Sequence, residues 1–183
     1  MSRYAVFVDG GYFKHVINGF GGPRISYRKI SDLAEVARGE ERLRTYYYDC
    51  APYVGANPSS EDKLRQANFD RFRKALEMEP RFQLRLGRLA RYATPQGPQF
   101  VQKMVDILLT VDLVRMSVAQ QIQRAVLIAG DSDYVPDIQV ARDAGVVVQL
   151  YYCDKPKTPH AELLAACDER IRIDQAFMDR IKG

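Results

Sequence analysis

The sequence predicts one α/β domain: a central, mainly parallel sheet with helices on both faces, in three layers. Three observations carry this. Short, continuously apolar runs recur at Tyr4–Val8, Arg124–Ala129 and Val146–Tyr152, the pattern of strands buried on both faces. Helical segments with an apolar stripe separate them, as crossovers between parallel strands require. The 183 residues, 46% hydrophobic and 27% charged, suit one core and leave no length for a second unit of that size.

Taken in order, the first strand (4–8) stops at Asp9-Gly10-Gly11, a turn signal, and a helix is expected over 12–18. Gly19, Gly21, Gly22 and Pro23 break the chain before a second helix, starting at Ser26 or Ser31 and ending near Ala37. Leu43–Cys50 reads as a strand and 52–58 as a loop. Ser59-Ser60-Glu61-Asp62 has the form of a helix N-terminus, a Ser cap followed by acids, and that helix runs to about Met78. Arg81–Tyr92 alternates Phe82, Leu84 and Leu86 with polar neighbours and reads as a strand. A loop over 94–98 and a helix over 102–119 follow. After the strand at 124–129, a helix over 133–144 holds Pro136 in its first turn and ends at Gly145. Beyond the strand at 146–152, residues 156–183 form an extension with a short helix, a strand at 170–173 and a terminal helix. No internal repeat, low-complexity tract or linker divides the chain.

Composition removes several classes. No apolar run approaches the ~20 residues of a membrane helix. The start, MSRYAVFVDGG, lacks the basic leader and longer apolar stretch of a secretory signal. Cys50, Cys153 and Cys167 are widely spaced and odd in number, which fits reduced thiols and a cytoplasmic location, and offers no zinc spacing. Charge is unevenly placed. Between Lys63 and Lys103 there are ten Lys or Arg against three acids, although the net charge is only +4. Such a segment attracts a polyanion or forms a solvated basic face. Arg85, Arg88, Arg91 and Lys103 are its candidate phosphate contacts.

Two of the buried strands run into acids, at Asp9 and at Asp131-Ser132-Asp133. In an open parallel sheet, ligands bind beyond the carboxyl ends of the strands, where strand order reverses. Asp106 stands early in the helix before the second of these strands, at the same edge. Asp9, Asp106, Asp131 and Asp133 therefore converge from three segments. Clustered carboxylates repel one another unless a cation or protons compensate them. Oxygen ligands without His or Cys select Mg²⁺ or Mn²⁺, ions that can activate water at a phosphodiester. Asp131 and Ser132 also suit plain helix capping. Asp137 lies one turn deeper than Asp133, and Asp112, Asp49 and Asp154 are second-line acids. His15 and His160 are isolated in sequence and read as structural. Ser132 can orient water, and Tyr12 and Tyr46–Tyr48 can stack on bases or simply pack.

At these residues the chain resembles the NYN-domain group of PIN-like ribonucleases, and within it the LabA-like branch. The matching pieces are Phe7-Val8-Asp9-Gly10-Gly11-Tyr12-Phe13, Gln102-Lys103-Met104-Val105-Asp106 with Asp112-Leu113, and Gly130-Asp131-Ser132-Asp133-Tyr134. The resemblance is strongest over 1–155. It implies a PIN-like, Rossmann-like α/β/α fold and a metal-dependent centre cleaving RNA, with Asp9, Asp106, Asp131 and Asp133 as its acids. The chain departs from the group at Tyr12, where many members carry Asn, at Tyr134, where Phe is commoner, and at Met104, where Gly is commoner.

The expected function is thus hydrolysis of RNA by a Mg²⁺- or Mn²⁺-dependent ribonuclease. A non-catalytic RNA-binding or regulatory module on the same fold is the alternative, and a small-substrate phosphatase a more distant one. The apolar tail from Ile171 to Ile181 can pack on its own core or on a second copy, so self-association stays open.

Overall fold

The computed structural model describes residues 2–32, 39–155 and 158–183, with the side chains of 31, 32, 102 and 103 outside that description. The part of the second expected helix beyond residue 32 lies outside it as well. Seven strands form one sheet: β1 (Arg3–Asp9), β2 (Glu41–Cys50), β3 (Phe82–Thr94), β4 (Gly97–Lys103), β5 (Arg124–Ile128), β6 (Val147–Tyr152) and β7 (Glu169–Arg172). Their spatial order is β4-β3-β2-β1-β5-β6-β7. All neighbours pair parallel except β3 and β4. The chain winds outward from β1 to β2 and β3 on one side, then returns to β5 and winds to β7 on the other. Strand order therefore reverses between β1 and β5.

Central β1 is buried along its whole middle. Ala5, Val6, Phe7 and Val8 are no more than 1% exposed, because their alternating side chains enter two separate cores. Ala5 and Phe7 face α4 (Val105–Val118), α5 (Val135–Asp143) and α6 (Ala161–Ala166), where they join Leu109, Leu113, Ile138 and Leu163. Tyr4, Val6 and Val8 face the other layer: α1 (Gly10–Gly19), α2 (Tyr27–Asp32), α3 (Ser60–Glu77) and α7 (Gln175–Ile181). That layer buries Phe13, Val16, Ile30 and Leu76. It also buries Phe177, Met178 and Ile181, so the apolar tail completes the chain's own core. Helix α3 begins as its sequence indicates, with Ser59 and Asp62 forming a reciprocal capping box. No helix among the described residues is long and apolar enough to cross a membrane.

The structure departs from the sequence reading in three places. Residues 97–103, expected as a loop leading into a helix, form strand β4, and β3 runs on to Thr94. Pro95 and Gln96 make a two-residue turn, closed by Gly97 at a φ of 115° and by Thr94 Oγ1 donating to the Gly97 carbonyl at 2.6 Å. The helix expected from residue 133 opens as a 3-10 turn over Ser132–Tyr134, and α5 proper starts at Val135 with Pro136 in its first turn. Gly10 and Gly11, read as a turn, are the first residues of α1. A Cβ on Gly10 would lie 2.5 Å from the Tyr48 carbonyl oxygen of β2, so the close packing of α1 on the sheet requires glycine there.

Phe7 fills its site with no exposed surface and stacks on Tyr46 at 5.7 Å. Phe7→Ala is expected to lower the free energy of unfolding by about 3–5 kcal/mol, read from the urea midpoint with the m-value unchanged.

Candidate active site

The crevice at the switch between β1 and β5 collects acids from three elements. Asp9 ends β1 and caps α1, its Oδ1 accepting from the Tyr12 amide at 3.0 Å. Asp131 follows β5 by two residues and caps the 3-10 turn, accepting from the Asp133 amide at 3.0 Å. Asp106 stands in the first turn of α4, two residues after Met104, which enters the helix with a φ of 73° and no side-chain cap. Asp9, Asp106 and Asp131, with Tyr12 and Ser132, line a cleft of about 460 Å³. Asp133 is exposed at the turn beyond it, and its carboxylate has no partner.

Tyr134 ties the two inner acids together. Its ring is 1% exposed, and its hydroxyl lies 2.9 Å from Asp106 Oδ1 and 3.2 Å from Asp9 Oδ2. One hydroxyl proton serves two carboxylate oxygens, which are therefore no farther apart than the sum of those two distances. Burial holds the Asp9 carboxyl above its ordinary range; the Tyr12 amide opposes the rise and the charge of Asp106 adds to it. Burial, then the charges of Asp9 and Asp106, push the Tyr134 hydroxyl far up, so it stays a protonated donor.

The other acids near this edge have different surroundings. Asp49, fully buried, takes Lys14 Nζ at 2.6 Å. Asp112 is buried and accepts from Arg85 Nε at 3.1 Å, Arg115 Nη2 at 3.2 Å and the Tyr48 hydroxyl at 3.1 Å. Asp154 pairs with Arg172, and Asp137 is bonded by Thr110, where burial raises its carboxyl. Among the described residues, no cation pairs with Asp9, Asp106, Asp131 or Asp133. The acids that serve the fold carry their own donors, whereas among the described residues the other four carry no counter-charge.

The basic candidates also separate. Arg85 is half-buried, held by Asp112 and lying over the Tyr46 ring at 5.6 Å. Arg88 and Arg91 are exposed on the outer half of β3 and have no hydrogen-bond or ion-pair partner among the described residues. Lys103 ends β4 opposite Arg88, its side chain outside the described residues. The Tyr12 ring packs over Gly130, where a Cβ would overlap it, and its hydroxyl accepts from the Cys153 amide at 2.9 Å. Burial raises that hydroxyl to about 12. Tyr46, Tyr47 and Tyr48 are core residues, closed to any base.

Three site residues escaped the sequence reading. His15 and His160, read as structural, are both exposed and border the cleft from α1 and from the residue before α6. Neither imidazole has a hydrogen-bond partner among the described residues. Tyr134 is the third, and the sequence signal was its hydroxyl, present where Phe is commoner.

These donors can be tested against a divalent ion. Among the described residues, no three His, Cys, Asp or Glu side chains are gathered closely enough to enclose a metal. Mg²⁺ does not need such a cage, because it retains several waters and is held by one or two carboxylates plus substrate phosphates. The Asp9–Asp106 pair, both hard oxygen donors meeting at one hydroxyl, fits an ion of that kind.

The three-layer α/β domain, with acids at its switch point, is consistent with a Rossmann-like PIN fold. The NYN-domain model matches residues 3–174, and the chain belongs to the NYN-domain family, which is related to the PIN-like ribonucleases. Its fold is similar to the crystal structure of a protein of unknown function from Vibrio parahaemolyticus, with a TM-score of 0.62 at 16% identity, covering 96% of this chain and 95% of that one. No curated protein matches.

Two outcomes follow for the metal-free protein in EDTA. Because the folded-state pKa of Asp9 lies above its ordinary 3.8, ionised Asp9 destabilises the fold at neutral pH, and that cost fades as pH falls through the folded value. Asp9→Asn, which keeps the cap, should raise the melting temperature at pH 7, and its advantage should shrink toward pH 4. A gap independent of pH would contradict the assignment. Tyr134→Phe removes a hydrogen bond to charged acceptors and should cost about 1.5–3 kcal/mol in urea unfolding.

Proposed function

We propose that the chain is a metal-dependent ribonuclease of the LabA-like branch, hydrolysing RNA phosphodiester bonds at the switch-point cleft. The observation that supports this best is that, among the described residues, no cation pairs with Asp9, Asp106 or Asp131, on an edge where Asp49 and Asp112 have theirs. A site of uncompensated carboxylates stores repulsion that a divalent cation relieves.

In this reading Asp9 and Asp106 hold Mg²⁺ or Mn²⁺, with Asp131 at the rim, and Asp133 serves a second ion directly or through water. When bound, such an ion activates a water and stabilises the leaving oxygen of the phosphodiester. Tyr134 positions the two inner carboxylates by its single shared proton. Ser132 orients water at the rim. Arg88, Arg91 and Lys103 hold the RNA backbone, a sequence-independent attraction that weakens with salt. Arg85 contributes less, since its guanidinium already serves Asp112. The three free cysteines accord with a cytoplasmic location.

One observation favours a second reading. With no three ligating side chains enclosing a metal site among the described residues, the fold can act as an RNA-binding or regulatory module without turnover.

The deciding assay is cleavage of an end-labelled single-stranded RNA in Mn²⁺, in Mg²⁺ and in EDTA. Wild type is expected to cut with metal only. Asp131→Asn, which preserves the cap of the 3-10 turn, is expected to cut no faster than the EDTA control while melting at the wild-type temperature. Metal-dependent cutting by this variant at the wild-type rate removes Asp131 from the centre. RNA bound at low salt by a wild type that never cuts selects the binding module.

A further inference from the structure

Strand β3 is twice as long as its place in the main sheet requires. Its pairing with β2 ends at Cys50 opposite Gly87, and from Arg88 to Thr94 its ladder is with β4. Because β3 runs parallel to β2, this outer half projects beyond the carboxyl edge, the edge that carries Asp9 and Asp131. The hairpin is an arm extending past the sheet at that edge, and its return strand leads through Met104 into the helix that bears Asp106.

The arm is basic and aromatic. From Arg81 to Lys103 the chain has five basic residues and no acid. Arg91 lies directly opposite Phe100 across the ladder, so the two side chains share a face. It is the face of Arg85 and Leu89, turned toward α4. Phe100 is 48% exposed, and its ring meets Tyr53 at 5.3 Å between centroids, Tyr53 being 37% exposed on the loop after β2. Two adjoining half-exposed rings, beside a guanidinium with no ion-pair partner among the described residues, form a platform for a flat, negatively tethered ligand. Phe100 stands three residues from the base of the arm, about 10 Å along the strand.

We propose that this arm grips unpaired RNA: one base stacks on the Phe100–Tyr53 platform while Arg91 holds an adjoining phosphate. The assignment rests on reading the cleft as one that acts on RNA, and it adds a base-stacking subsite on the arm, outside the residues that line that cleft. A base inside a duplex is covered on both faces by its neighbours, whereas a base in a single strand can be splayed onto an aromatic ring. The basic arm alone would accept either form, and the platform selects the single strand.

The test uses the full chain in EDTA, so that nothing is cleaved. The probe is a twelve-nucleotide single-stranded RNA carrying one 2-aminopurine, compared with its blunt duplex, by anisotropy and 2-aminopurine emission. Wild type is expected to bind the single strand more tightly than the duplex and to change the emission of the probe. Phe100→Ala should weaken single-strand binding roughly 5- to 150-fold, abolish the preference over duplex and leave the melting temperature in place. Phe100→Trp should retain the wild-type behaviour, and Arg91→Gln should lower the salt dependence of binding by one phosphate contact. Wild-type binding that Phe100→Ala and Tyr53→Ala leave untouched overturns the arm alone, and the platform then docks something other than RNA. Equal affinity of wild type for duplex and single strand overturns it too. A wild type that binds neither RNA overturns both the arm and the reading of the cleft.

Discussion

Everything at the cleft depends on β1 pairing in parallel with both β2 and β5 at the centre of the sheet. That arrangement brings the ends of two strands separated by more than a hundred residues to one edge and leaves a crevice between crossovers that depart in opposite directions. It is also the most strongly enforced part of the fold. Side chains of β1 enter both cores, so a register slip of one residue would exchange the two sets. Asp9 is placed by the same register, since Phe7 and Val8 fix the last turn of strand that carries it.

Packing and electrostatics oppose each other at this point. The close approach of α1 to β2, which requires Gly10, and of Tyr12 to Gly130 removes water from around Asp9. That loss of solvent raises the free energy of its charge, and Asp106 raises it further. The compensation within the protein is small: a backbone amide and a share in one tyrosine proton. Elsewhere the chain treats buried acids differently, giving Asp112 two guanidiniums and a hydroxyl. One sequence applies two rules to the same residue type, and the difference follows position relative to the switch.

The sheet was legible because buried parallel strands leave a local signature, an unbroken apolar run ending in an acid or a turn. The acids were legible for the same reason: Asp9 and Asp131 follow such runs, and the helix before β5 has to start where Asp106 stands. The hairpin was hidden because Pro95-Gln96-Gly97 is both a loop signal and a tight-turn signal, and only pairing across the turn separates them. Charge counting could not tell Arg85 from Arg91, since the neutralising acid lies 27 residues away on another element. His15 and His160 were opaque for a stronger reason. Their meeting at one cleft is a property of the topology, 145 positions apart, and nothing near either residue announces it.

Met104 joins the arm to α4 in a left-handed conformation that costs a side-chain-bearing residue roughly 1–2 kcal/mol. Its amide and carbonyl nonetheless lie in the path of the chain, the carbonyl accepting from Leu108 at 2.9 Å to start the helix. A glycine would make this joint a swivel, free to turn in many directions. Methionine makes it a stiff elbow, held only because the ladder on one side and the buried helix on the other leave the backbone no alternative. Asp106 therefore stands two residues past a stiff joint between arm and helix, rather than past a loose one.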